Sequence, residues 1–230
     1  MSKIAIMGAM PEEIEPLLAK VENVNRVEYA NNSYYEATYK GKELVIAYSK
    51  IGKVFSSLTA STLLEKFECS TLLFSGVAGA INPELKIGDL IIADKLCQHD
   101  LDISIFGHPF GYVPEGAVFV ESDAGLREIA KAVARKNKLS LIEGTIATGD
   151  QFVASNERKE FISSNFQADA LEMEGASVAV VCDALNVPFF VLRAISDTAN
   201  DDAGMDFDEF MIGSAKISAN FILDMVESIE

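Results

Sequence analysis

Short apolar bursts punctuate this chain, and their period shifts between that of a strand and that of a helix. Lys3–Met7 has the length of a strand, and Gly8-Ala9-Met10 makes a tight exit from it. Pro11 then stands where the first turn of a helix tolerates proline, with Glu12 and Glu13 near the positive end of the helix dipole. Tyr34–Tyr39 and Glu43–Tyr48 flank Lys40-Gly41-Lys42 and predict a hairpin. Gly52–Lys66 is helical by composition and period, with Ser and Thr packed among Val54, Leu58 and Leu64. Thr71–Phe74 is wholly apolar and predicts a strand that ends in a glycine turn at Gly76-Val77-Ala78-Gly79. Asp89–Asp94 and Leu141–Thr148 predict further strands.

Ala124–Lys138 predicts an amphipathic helix with Leu126, Ile129, Ala130 and Val133 on one face; Gly125 is its one mild conflict. Ala168–Met173, interrupted by Asp169, and Val187–Ile195 are two more short apolar runs. Gly175–Ala184 and Asp208–Val226 are helical by pattern. The order is mixed βα with an early hairpin, and no Pro/Gly/Ser linker, repeat or low-complexity stretch divides it. The expectation is a single α/β domain over residues 1–230, with a mixed β-sheet flanked by helices on both faces.

Composition narrows the function. With 49% hydrophobic and 23% charged residues, the chain can bury a large core. A net charge of −16 disfavours nucleic acid and anionic membranes, because no Lys/Arg stripe is visible to bind phosphate. No leader pattern and no apolar run of membrane-spanning length is visible. Cys69, Cys97 and Cys182 are widely spaced and unpaired by motif, which suits buried thiols in a reducing cytoplasm. With only His99 and His108, no metal site is expected.

Ligands in open α/β sheets bind at the carboxyl ends of strands. Five such exits are rich in glycine or acid: Gly8–Glu13, Gly76–Ala80, Gly149–Val153, Met173–Gly175 and Ser196–Asp197. Each acid has an ordinary alternative. Glu13 suits a first-turn carboxylate, Glu174 a helix start, and Asp197 a cap before Thr198-Ala199-Asn200. Ordinary roles do not account for all three acids at separate strand exits.

The motifs that carry these acids resemble one family throughout. They are Ile6-Met7-Gly8-Ala9-Met10 with Glu13, Ser49-Lys50-Ile51-Gly52-Lys53-Val54, Phe74-Ser75-Gly76-Val77-Ala78-Gly79, Gly149-Asp150-Gln151-Phe152, Glu172-Met173-Glu174, Arg193-Ala194-Ile195-Ser196-Asp197 and Phe207-Asp208-Glu209-Phe210. In this order they resemble the 5′-methylthioadenosine/S-adenosylhomocysteine nucleosidases of the purine nucleoside phosphorylase superfamily, over nearly the whole chain. Val77 replaces a Ser that helps hold the attacking water in many members. With Gln98-His99-Asp100, it resembles the branch that also cleaves 6-amino-6-deoxyfutalosine.

That resemblance implies hydrolysis of an N-glycosidic bond with release of adenine, in methionine salvage, adenosylhomocysteine recycling and alternative menaquinone synthesis, without a cofactor. Adenine leaves as a neutral base only if N7 is protonated, and Asp197 would be the acid, its pKa raised by an apolar strand end. Glu174 would hold the ribose hydroxyls and steady the oxocarbenium charge at C1′. Glu13 would take a proton from water, with Arg193 beside Glu174 and Glu13 as the orienting partner; a structural ion pair within the sheet fits Arg193 equally. Phe152 would stack on adenine and the Val153 backbone would meet its polar edge. Met10, Ile51, Met173 and Phe207 would line the ribose and 5′ group, with Val77, Ala78, Gly79 and Ser196 completing the wall. Ile103, Phe106 and Pro114 match positions that reach into a neighbouring subunit, which implies a homodimer.

Two other readings compete. Phosphorolysis needs Arg or Lys at the glycine exits, and Gly8–Glu13 and Ser75–Ala80 contain none. A nucleoside-binding sensor would not need both a protonatable acid at the base and a water-activating Glu.

Overall fold

The computed structural model describes residues 3–197 and 203–229, with the side chains of 203–209 left aside. In chain order the elements are β1 (Lys3–Gly8), α1 (Pro11–Leu18), β2 (Glu22–Tyr29), β3 (Asn32–Tyr39), β4 (Lys42–Tyr48), α2 (Lys53–Ser61), β5 (Cys69–Ala80), β6 (Leu90–Gln98) and β7 (Phe119–Glu121). Then follow α3 (Ala124–Asn137), β8 (Leu141–Thr148), α4 (Asn156–Phe166), β9 (Ala170–Glu172), α5 (Gly175–Ala184), β10 (Phe189–Asp197) and α6 (Ala203–Ser228). The expected mixed α/β architecture is present. Pro11 opens α1, and Asp123 caps α3 by accepting the Leu126 N–H.

Ten strands form one sheet in the order β10-β6-β8-β9-β5-β1-β4-β3-β2, with β7 on β6. β10 also pairs with β5, so β5, β10, β6, β8 and β9 close on themselves as a ring. Strands β1, β4, β5 and β10 run parallel to their neighbours in that group, whereas β10 meets β6, and β5 meets β9, antiparallel. Two apolar layers cover the sheet. Leu63, Val178, Cys182 and Val191 belong to one, around α2 and α5. Ile14, Leu17, Val133, Phe221 and Val226 belong to the other, around α1, α3 and α6.

Two expectations need correction, and one strand was missed. The run from Thr71 does not end in a turn at Gly76, because β5 continues through the glycines to Ala80, paired with β10 and β9. Val54 and Leu58 do not pack inward. Val54 is 76% exposed, and α2 instead buries Ser56, Thr59 and Ala60. The inner face is small because α5 lies close, with Ser56 Oγ 2.6 Å from Ser177 Oγ. Finally, β2 had no counterpart in the pattern: its residues are exposed almost throughout, so no alternation marks it.

Candidate active site

Glu13 lies one turn into α1 and is buried against the end of β5. Its Oε2 accepts the backbone N–H groups of Ala9 (2.6 Å) and Met10 (3.1 Å), and its Oε1 accepts that of Val77 (3.1 Å). Gly76 leaves the room for this. A Cβ there would stand 2.8 Å from Glu13 Oε1 and 3.3 Å from an Arg193 nitrogen. Burial pushes the Glu13 carboxyl above its ordinary value, against the pull of Arg193 and the three amides.

Glu172 and Glu174 flank Met173 at the junction of β9 and α5. Glu174 Oε1 accepts the Gly52 N–H at 2.8 Å, which joins it to the start of α2. Glu172 accepts from Thr148 Oγ1 and from the backbone N–H groups of Glu174 (3.1 Å) and Gly175 (2.7 Å). Arg193, 1% exposed, donates to Glu172 Oε2 at 2.7 Å, and its guanidinium lies 4.0 Å from the centre of the Phe74 ring. Arg193 was expected beside Glu174 and Glu13. Its ion pair is with Glu172, and its charge reaches the other two through space. β10 pairs Arg193 with Gly76, and Arg193 does not line the cavity.

Three carboxylates around one guanidinium leave an excess of buried negative charge. Burial first, and then the Glu172 charge, push the Glu174 carboxyl up to about 8. In the unfolded chain Glu174 releases its proton near 4.5, so between 4.5 and about 8 the folded state binds more protons. Its contribution to stability is therefore fully present below 4.5 and is lost as the pH rises through about 8. Glu174→Gln, which cannot ionise, is expected to gain Tm over the parent across this window, reaching roughly 2–4 °C, the shift that ~1 kcal/mol gives in a domain of this size. Calorimetry at both ends of the window checks this, and an equal Tm difference at the two ends refutes it.

At the end of β10 the register against β5 shifts between Ile195 and Asp197, so Ser196 is an extra residue. In a regular strand two neighbours face opposite sides; the bulge brings both Ser196 and Asp197 to the cavity. Both are buried, and Ser196 Oγ donates to Asp197 Oδ2 at 2.9 Å. The alternative cap role of Asp197 involves 198–200, which lie outside the described residues.

These groups share a cavity of about 180 Å³. Met10, Glu13, Ile51, Val77, Ala78, Gly79, Phe152, Val153, Met173, Glu174, Ser196 and Asp197 line it. Phe152 is half-exposed at the rim, whereas Val153 packs into the cluster of Ile162, Phe166 and Leu171. The side chain of Phe207 lies outside the described residues. Ile103, Phe106 and Pro114 are not part of this chain's cavity, and Phe106 is 78% exposed.

Four cavity residues were not predicted: Ala9, Gln151, Leu171 and Glu172. Glu172 carried a signal, as the first acid of Glu172-Met173-Glu174.

The profile of the phosphorylase superfamily matches residues 3–227. The chain belongs to this superfamily. Within it, the chain is 58% identical over 229 residues to an aminodeoxyfutalosine nucleosidase of Campylobacter jejuni, covering all of both chains. It is 37% identical to a 5′-methylthioadenosine/S-adenosylhomocysteine nucleosidase of Bacillus licheniformis, covering 99% of each. Among solved structures, an Asp-to-Asn mutant of the Helicobacter pylori nucleosidase with 5′-methylthioadenosine in its active site matches with a TM-score of 0.98 at 48% identity, over 100% of both chains. In this superfamily member, four carboxylates and no Lys or Arg line the cavity among the described residues.

Proposed function

We propose that this chain is an N-glycosyl hydrolase that releases adenine from 5′-methylthioadenosine, S-adenosylhomocysteine and 6-amino-6-deoxyfutalosine. The single observation that carries the reading is the acid-lined cavity, with no Lys or Arg in its lining among the described residues. A phosphorylase must hold a phosphate dianion, for which no Lys or Arg lines the cavity among the described residues. A ribosyl cation, by contrast, favours the ionised form of Glu174 and is stabilised by it. The relatives' names support the substrate class.

In the reaction the C1′–N9 bond breaks as Asp197 gives its proton to adenine N7, so that the base departs neutral. The Glu174 carboxylate binds the ribose 2′- and 3′-hydroxyls and faces the positive charge at C1′. Water adds to C1′ and loses its proton to Glu13. Arg193 holds Glu172 and, through it, the turn that presents Glu174. Phe152 stacks on the base, the Val153 backbone meets its polar edge, and Met10, Ile51, Met173 and Phe207 enclose the sugar and 5′ group. With no cofactor in this scheme, adenine release from 5′-methylthioadenosine is expected in phosphate-free buffer and in the presence of a chelator. Chromatographic detection of adenine decides it; turnover that requires added phosphate overturns the reading.

The same reading makes the protein a homodimer. The outward residues of α2, Val54, Phe55 and Leu58, join Ile51, Ile105 and Phe106 as exposed apolar side chains that a partner would cover. Ile103, Phe106 and Pro114 would then close the 5′ end of the neighbour's cavity. Sedimentation at low micromolar concentration is expected to give a dimer, and a fully active monomer contradicts it. The chain is read as cytoplasmic, in keeping with three free buried thiols that burial pushes up to about 12. Among the described residues no helix is long and apolar enough to cross a membrane. Methionine salvage, adenosylhomocysteine recycling and alternative menaquinone synthesis are the settings that fit these substrates.

A further inference from the structure

His99 is a buried titratable group beside the cavity that takes no part in the proposed chemistry. The strands β6 and β8 run parallel and end level, with Gln98 paired to Thr148, so the residues just beyond them lie side by side. The His99 N–H donates to the Thr148 carbonyl at 2.8 Å, and the side chain is 2% exposed. Its ring lies against Gly149: a Cβ built there would come within 2.3 Å of the imidazole. Only glycine leaves the ring its place.

The tautomer follows from Arg158. Its Nη2 lies 3.0 Å from His99 Nδ1 and 3.0 Å from the His99 carbonyl oxygen, and its guanidinium covers the Phe161 ring. A guanidinium only donates, so Nδ1 must accept, and the neutral ring carries its hydrogen on Nε2. Burial, and then the Arg158 charge, lower the imidazole to about 4, so it stays neutral at ordinary pH. Nε2 has no hydrogen-bond partner among the described residues. A hydrogen-bonding role toward the loop is therefore not what places the ring there; its shape is.

The next residues complete the support. Asp100 Oδ2 accepts the Asp150 N–H at 2.8 Å, and Asp100 Oδ1 pairs with Lys53 Nζ at 2.7 Å. Asp150 Oδ1 accepts the Lys53 N–H at 2.8 Å. The Gly149 N–H donates to the Glu172 carbonyl, and the Gln151 N–H to the Gly149 carbonyl. The loop is thus fixed at Gly149 and Asp150, and Phe152 and Val153 enter the cavity from that anchorage.

We infer that His99 is a positioning residue for the base: its ring is the floor on which the Gly149–Val153 loop rests, and it sets where Phe152 and the Val153 backbone meet adenine. This rests on the reading that the loop receives the base. A floor that drops by a fraction of an ångström moves both contacts together, while Glu13 and Asp197 sit on other elements.

His99→Asn keeps an acceptor for Arg158 and removes the part of the ring that meets Gly149. The dissociation constant of free adenine, by calorimetry, and KM for 5′-methylthioadenosine are expected to rise about tenfold with kcat within about threefold, the pattern of lost uniform binding. Gly149→Ala is expected to weaken adenine binding too, and adding His99→Ala to it should restore affinity to the level of His99→Ala alone. A cooperatively melting His99→Asn protein with parental KM and adenine affinity overturns the inference, as does a fall in kcat at unchanged KM. If His99→Asn does not fold, the Gly149→Ala pair decides, and a defect that His99→Ala leaves unrelieved counts against it. Failure of the parent protein to release adenine from 5′-methylthioadenosine is a separate result, and it sinks the functional reading itself.

Discussion

Asp197→Asn is expected to lower kcat by roughly 10² to 10⁴, the range for loss of a general acid, while substrate affinity changes little. The Asn amide keeps the shape of the carboxyl and still offers a hydrogen to N7, but it has no proton to give as the glycosidic bond breaks. The side chain is buried and takes a hydrogen bond from Ser196. Single-turnover kinetics with measured binding tests this. A variant that releases adenine at a near-parental rate shows that another group protonates the base.

Glu13→Gln is expected to remove most activity, a loss of about 10² or more in kcat, because Gln cannot accept the proton from water. The local geometry adds to the effect. Both carboxylate oxygens accept backbone N–H groups, from Ala9 and Met10 on one side and Val77 on the other. An amide can face only one side with its oxygen, so one N–H is left opposite another donor. Val77→Ser is expected to stay within about tenfold of the parent. It adds a hydroxyl partner for a water that otherwise depends on charged groups and the substrate, and an ordered buried water usually makes about three hydrogen bonds. Steady-state kinetics on the two variants separates the roles. An active Glu13→Gln protein beside an inactive Val77→Ser protein means that the water lies elsewhere and Glu13 is not the base.

The acids were legible because their settings were local. Glu13 follows a strand exit by a few residues, Glu174 opens a helix, and Asp197 ends an apolar run. Tertiary structure brings all three to one cavity. Glu172 was harder to see: its chemistry depends on Thr148 and Arg193, each more than twenty residues away. His99 was named only in a motif and among the two histidines, since nothing near it in sequence reveals that Gly149 lies against its ring.

What the sequence determined by itself is the set of elements marked by a compact apolar run or by helical spacing. The hairpin of β3 and β4, the helices α3 and α5 and the strand β8 lie where those patterns put them; α3 buries one face on the core, whereas α5 and the second half of β8 are buried on nearly every side. Tertiary structure alone decided the rest. It carried β5 straight through its glycines, since β10 and β9 supply hydrogen bonds there and Glu13 occupies the space a side chain would need. It turned the small face of α2 inward toward α5, and it closed five strands into a ring that draws the ends of β5, β8, β9 and β10 around one cavity. Local periodicity records how much of a residue is buried. Which distant strand or side chain buries it is a property of pairing, and pairing leaves no period in the chain.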